Sequence, residues 1–145
     1  MKYLFAFIII PLLYADIAFG FGEHPEAFCI KKHQDTDFDC IVHCKLKHYT
    51  FADDSYIIKE HHIKNLADFL IRYNVVSASR RKDVVAHLKS CVKQSIKKAK
   101  IPSCDSSFRY YTCITDEKLI HFNAYDSAIR RYDQTLNVVT SSKRI

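Results

Sequence analysis

Six cysteines, all between Cys29 and Cys113, constrain this 145-residue chain more than any other feature, and their meaning depends on where it folds. The N-terminus addresses that question. Met1-Lys2 precedes an apolar run from Tyr3 to Leu13, and Ala18-Phe19-Gly20 follows with small residues two apart. This is the pattern of a secretory signal peptide. A membrane anchor is the competing reading, but the run is shorter than the ~20 residues that span a bilayer, and Pro11 and Asp16 interrupt it. Residues 1–20 are expected to be a leader and residues 21–145 one exported domain, a length that suits a single core. Disulfides persist outside the cell, so an even count of six implies three bridges, with 15 pairings open.

Metal binding is the alternative use of these cysteines. Cys40, Cys44 and His48 repeat every four residues and share one helix face, and His61-His62 is an imaginable fourth partner. Thiols oxidise in the secretory pathway, and structural zinc sites pair cysteines across tighter loops. No metal and no cofactor is expected.

Two glycines and three prolines in the whole chain narrow the fold. There is no G-x-G-x-x-G and no G-x-x-x-x-G-K to cradle phosphate. A sandwich or barrel needs a tight turn every 8–12 residues, and the turn formers are too few. The pattern instead reads as about six helices in a single all-α domain. Pro25 suits the first turn of a helix running to about His33. Thr36 or Asp37 caps a second, to about His48. Ala52-Asp53-Asp54-Ser55 breaks the pattern, and Ser55 then caps a segment ending near Tyr73, with Ile58, Ile63, Leu66, Phe69 and Leu70 as its apolar stripe. Ser79 caps the longest helix, from Arg80 to about Lys100, which Pro102 prevents from continuing. Ser103–Ile114 forms the fifth helix, and the last lies between Asn123 and Val138 after a turn at Thr115-Asp116-Glu117.

Charge is concentrated on the longest helix. Between Arg80 and Lys100 stand Arg80, Arg81, Lys82, Lys89, Lys93, Lys97, Lys98 and Lys100 against the single acid Asp83, the equivalent of the whole net charge of +6 and more. At 100° per residue, Lys82, Lys89, Lys93, Lys97 and Lys100 fall on one side, and Val85, Leu88, Val92 and Ala99 roughly opposite. A solvated face usually interleaves both signs. A stripe of like charge repels itself and attracts polyanions by counterion release. Sulfated glycans, polyphosphate or anionic membranes suit an exported protein better than nucleic acid.

Catalysis finds little support. The chain has eight histidines, and a secreted, bridged helical chain invites comparison with phospholipase A2. Neither the glycine-rich calcium loop nor the C-C-x-x-H-D helix of that enzyme is present. There is no G-x-S-x-G and no H-E-x-x-H. His87 lies near the apolar stripe of its helix and reads as a packed side chain. The expectation is a non-enzymatic protein.

The spacing Cys40-x3-Cys44, followed by Cys104-x8-Cys113, resembles the insect odorant-binding-protein superfamily. That resemblance implies six helices and bridges joining first to third, second to fifth and fourth to sixth cysteines: Cys29–Cys44, Cys40–Cys104 and Cys91–Cys113. Only ten residues separate Cys29 from Cys40, a truncated first interval typical of reduced salivary relatives. The match sharpens at His43-Cys44-Lys45, Leu70-Ile71-Arg72-Tyr73-Asn74-Val75-Val76, Tyr110-Tyr111-x-Cys113, Lys118-Leu119-Ile120-x-Phe122-Asn123-Ala124 and Tyr132-Asp133-x-Thr135-x-Asn137-Val138. This ordered set resembles the sand fly salivary proteins of about fifteen kilodaltons. It implies secretion in the saliva of a blood-feeding insect, a role as a salivary antigen, and inhibition of contact-pathway coagulation by covering anionic surfaces.

The expected polyanion-binding residues are Lys82, Lys89, Lys93, Lys97 and Lys100, flanked by Arg80, Arg81 and Lys98, with Arg130, Arg131, Lys143 and Arg144 extending the patch if the last helix and tail pack beside it. A monomer is expected. The alternative is a carrier that sequesters a small hydrophobic molecule or biogenic amine between helices, lined by aromatics such as Phe28, Phe38, Tyr49, Phe51, Phe69, Tyr110, Tyr111 and Phe122. An amine pocket wants a buried carboxylate, and no acid stands out as one.

Overall fold

The computed structural model describes residues 23–33, 38–116 and 118–136. The expected leader, the cap at Thr36 or Asp37, Glu117 and the tail cations Lys143 and Arg144 lie outside them. Six α-helices and one 3-10 turn make up the regular structure: α1 (Pro25–His33), α2 (Phe38–His48), α3 (Glu60–Arg72), a 3-10 turn (Ala78–Arg80), α4 (Arg81–Ala99), α5 (Cys104–Ile114) and α6 (Phe122–Asp133). No strand occurs among the described residues. The all-α reading holds.

Each helix buries a stripe at helical spacing. On α3 it is Ile63, Leu66, Ala67 and Leu70, on α5 Ser106, Ser107, Tyr110 and Ile114, and on α6 Tyr125, Ala128 and Ile129. These meet in one core with Leu46, Phe51, Val84, Leu88 and Ile120. α2 packs on α5, α5 on α4, and α4 on α3. Three disulfides fix the order: Cys29–Cys44 joins α1 to α2, Cys40–Cys104 joins α2 to the first residue of α5, and Cys91–Cys113 joins α4 to α5. This is the pairing that the resemblance implies. Both Cys40 and Cys44 are thereby bridged, so the triad with His48 offers no thiolate to a metal.

Both glycines, Gly20 and Gly22, precede the described residues, so among the described residues other side chains take the left-handed positions. Thr50 (φ 62°) ends α2, where the Phe51 amide donates to Leu46 O and Thr50 N to Lys47 O. Asn74 (φ 57°) ends α3 through the same pair of bonds, Val75 to Leu70 and Asn74 to Ile71. This reversal usually takes glycine or asparagine.

Two expected boundaries are corrected. α3 begins at Glu60 rather than at Ser55, because the Asp53 carboxylate accepts the Ser55 amide (2.9 Å) and hydroxyl in a local turn, and Tyr56 takes a positive φ of 59°. Ile58 is therefore outside the helix. Ser79 does not cap α4; it lies inside the 3-10 turn, with its hydroxyl 3.0 Å from that of Ser77. Ser103, by contrast, does cap α5, exchanging hydrogen bonds with Ser106.

Asp133 is the acid that the sequence conceals. It is 6% exposed at the end of α6, and one carboxylate oxygen accepts the Tyr49 hydroxyl (2.8 Å) and the Glu26 amide (3.3 Å). His24 Nδ1 lies 3.1 Å from the Asp133 carbonyl. The last helix thus caps the first, satisfying an amide left open at the start of α1.

Candidate functional site

The buried face of α4 runs through Val84, Leu88, Cys91 and Ser95. Val85, Val92 and Ala99 are only half-buried, to one side of it. At 100° per residue, Lys82, Lys89, Lys93, Lys97 and Lys100 lie opposite that face, and all five are exposed. Eighteen residues at 1.5 Å rise place Lys82 and Lys100 about 27 Å apart along the axis.

The structure divides the expected residues into two groups. Among the described residues, no carboxylate lies within 4.0 Å of Lys82, Lys93, Lys97, Lys98 or Lys100. The others are engaged. Lys89 Nζ pairs with Glu60 of α3 at 2.9 Å, Arg81 with Asp68 of α3 at 2.5 Å, and Arg80 with Asp83 at 3.3 Å. Helices α3 and α4 run antiparallel, and the eight-residue interval from Glu60 to Asp68 matches that from Arg81 to Lys89. The stripe is thus not wholly without acidic partners, a correction visible only once two helices are placed side by side. These pairs are exposed, and such pairs contribute about 0–1 kcal/mol, so a stronger anion displaces them at small cost.

Arg130 and Arg131, on α6, have partners within that helix and at the end of α3. Arg130 pairs with Asp126 at 2.9 Å. Arg131 donates to the Tyr73 carbonyl (3.1 Å) and stacks on its ring at the end of α3. Lys98 lies apart from the stripe, in a shallow cleft between α4 and α5 with Arg109 and Asp116.

His43 and His87 each make a contact inside the fold. His43 Nδ1 and the Ser107 hydroxyl share a 2.8 Å hydrogen bond, but Ser107 is 1% exposed and out of a substrate's reach. His87 is half-buried with Nε2 3.8 Å from Cys91 Sγ. Of the aromatics weighed as pocket walls, Tyr49, Phe51, Phe69 and Tyr110 belong to the core. Phe38 and Tyr111, with the core residues Tyr49 and Tyr125, border a cleft of about 220 Å³ between α1, α2, α5 and α6, with Glu26 and Asp126 also on its lining.

Similarity to known proteins fits this architecture. No protein-family model matches the chain. Ayaconin of Lutzomyia ayacuchensis is 37% identical over 136 residues, covering 94% of this chain and 95% of that protein. Salivary protein 15a of Phlebotomus duboscqi is 34% identical over 123 residues, covering 81% of this chain and 87% of that protein. The chain belongs to the sand fly salivary proteins of about fifteen kilodaltons. Salivary protein 15b of the same fly adds a relative at 32% identity over 123 residues. The protein's setting is therefore secreted saliva. Among its described residues no helix is long and apolar enough to cross a membrane.

Proposed function

We propose that this salivary protein is a non-enzymatic polyanion binder that inhibits contact-pathway coagulation by covering the anionic surfaces on which the clotting factors assemble. The observation that carries the reading is the outer face of α4, where Lys82, Lys93, Lys97 and Lys100 stand exposed and without a carboxylate partner among the described residues. Cations spaced along about 27 Å of rigid helix suit a linear polymer of phosphate or sulfate better than a single small anion. Binding of this kind draws on counterion release and is shared among contacts, so no single residue is essential. Resemblance to salivary proteins linked to contact activation supplies the physiological target, which charge alone does not name.

The test is plasma clotting time with the mature protein, triggered in parallel by an anionic surface and by tissue factor. Selective delay of the surface-triggered arm is expected; delay in neither arm would overturn the anticoagulant role. The carrier reading has the α1–α2–α5–α6 cleft, but at about 220 Å³ this is below the roughly 300–1,000 Å³ that enclose drug-sized ligands. Calorimetry with serotonin, histamine and lipid mediators tests it, and tight saturable binding would promote it over the polyanion reading.

A further inference from the structure

The corner between α4 and α5 combines two features that a soluble polyanion does not require together. Ile101 is 66% exposed, the most exposed large apolar side chain among the described residues, and Pro102 beside it is exposed as well. The four residues before Ile101 include Lys97, Lys98 and Lys100, all exposed and none within 4.0 Å of a carboxylate among the described residues. A single exposed apolar side chain is ordinary by itself, and lysines in a last turn are favoured by the helix dipole. The dipole does not account for Ile101, nor for the residue that ends the helix.

That residue is Lys100, which has a φ of 68°, in the region where glycine is least strained. The reversal turns the chain away from α4 and leaves Ile101, Pro102 and Ser103 outside any helix. A cation thus occupies a position where an uncharged glycine would cost less. The outcome is an exposed isoleucine directly following a helix end rich in exposed lysines, whose alkyl stems can lie along an apolar surface while their ammonium groups stay in water.

We propose that the α4–α5 corner docks on anionic phospholipid bilayers, with Ile101 entering the interface and Lys97, Lys98 and Lys100 engaging the headgroup phosphates and carboxylates. Sulfated glycans and polyphosphate offer these lysines charge but give Ile101 no hydrocarbon; an anionic bilayer offers both. Interfacial binding of this kind adds apolar insertion to electrostatic attraction. The inference rests on the polyanion reading for its lysines and goes beyond it in giving Ile101 a role.

The chain contains no tryptophan, so Ile101→Trp provides a single reporter at an exposed position. Mature protein is mixed with vesicles of phosphatidylcholine alone, with vesicles containing phosphatidylserine, and with dextran sulfate. The indole emission is expected to shift to the blue with phosphatidylserine vesicles and to stay unshifted with dextran sulfate. In sedimentation with the same vesicles, Ile101→Ser is expected to weaken binding about fivefold, on the scale of part-burying one aliphatic side chain, while dextran sulfate affinity changes less than about twofold. Lys100→Gly relieves the backbone and keeps the fold; it is expected to weaken vesicle binding about fivefold through loss of one cation.

An unshifted indole, or equal vesicle affinity of the wild type and Ile101→Ser, would overturn the bilayer proposal. Binding to dextran sulfate without binding to phosphatidylserine vesicles would overturn it too, and would leave the polyanion reading standing. Loss of binding to both probes would remove that reading as well.

Discussion

The imidazoles of His43 and His62 couple this fold to pH. His43 is 7% and His62 3% exposed, and burial is the main cause that holds both below the ordinary value of 6.5. His62 Nδ1 also accepts the Lys59 amide at 3.0 Å at the start of α3, a bond that a protonated ring cannot make. The unfolded chain therefore takes up protons at a higher pH than the folded chain, and stability rises with pH wherever that is so. The contribution is complete above about pH 6.5 and is lost as pH falls through that value toward the folded-state pKa values. Urea unfolding is expected to show a lower midpoint in mildly acid than in neutral buffer, with part of the difference removed in His62→Gln. Equal midpoints in the two buffers would contradict this. None of it was legible in the sequence, where these histidines differ in no visible way from exposed His61. Asp133 was hidden for the same reason, since a carboxylate near the end of a helix reads as solvated until the Tyr49 hydroxyl and the Glu26 amide are brought to it.

At the scale of the element, the character of α4 was plain from its residues and its net effect was not. Lysines spaced seven, four, four and three positions apart fall on one helix face whatever the helix packs against, so the Lys82–Lys100 stripe follows from helical periodicity alone. Which cations are neutralised depends on the neighbouring helix, and the partners of Lys89 and Arg81 are Glu60 and Asp68 on α3. The buried side of α4 was less well placed. Cys91 and Ser95 belong to its centre, because the disulfide to Cys113 draws the helix toward α5. The start of α3 was missed because a carboxylate turn at Asp53, like a helix cap, puts a serine or aspartate ahead of an apolar stripe. If α3 restrains the basic face, Glu60→Gln with Asp68→Asn should raise polyanion affinity severalfold and steepen its salt dependence by roughly one to two in log–log slope. Unchanged affinity in a folded double variant would show that these pairs have no part in binding.

For the whole molecule, three bridges join a chain whose helices are mostly nine to thirteen residues long. Isolated helices of that length are marginal in water, so the order of α1, α2, α4 and α5 depends on covalent closure as well as on the core. Loop-closure entropy ranks the bridges. Cys40–Cys104 spans 64 residues, Cys91–Cys113 spans 22 and Cys29–Cys44 spans 15. Removing them one at a time, with both cysteines replaced by serine, is expected to cost about 4.3, 3.4 and 3.0 kcal/mol in that order. Denaturant unfolding of the three variants checks the ranking, and a Cys29–Cys44 variant less stable than the Cys40–Cys104 variant would reverse it. The even cysteine count pointed to three bridges; their partners came from resemblance to a family, since the residues themselves left 15 pairings open.

The most direct test of a polyanion-binding face on α4 is the salt dependence of dextran sulfate affinity. The wild type would be compared with the fourfold variant Lys82→Glu, Lys93→Glu, Lys97→Glu, Lys100→Glu, and with a control carrying Lys31→Glu, Lys118→Glu and Arg130→Glu at paired positions outside α4. About five contacts give a log–log slope of roughly −3.5 to −4.5. The slope is expected to flatten toward zero in the lysine variant and to stay near the wild-type value in the control. A lysine variant that binds as tightly as the wild type, with the same slope, would contradict the account.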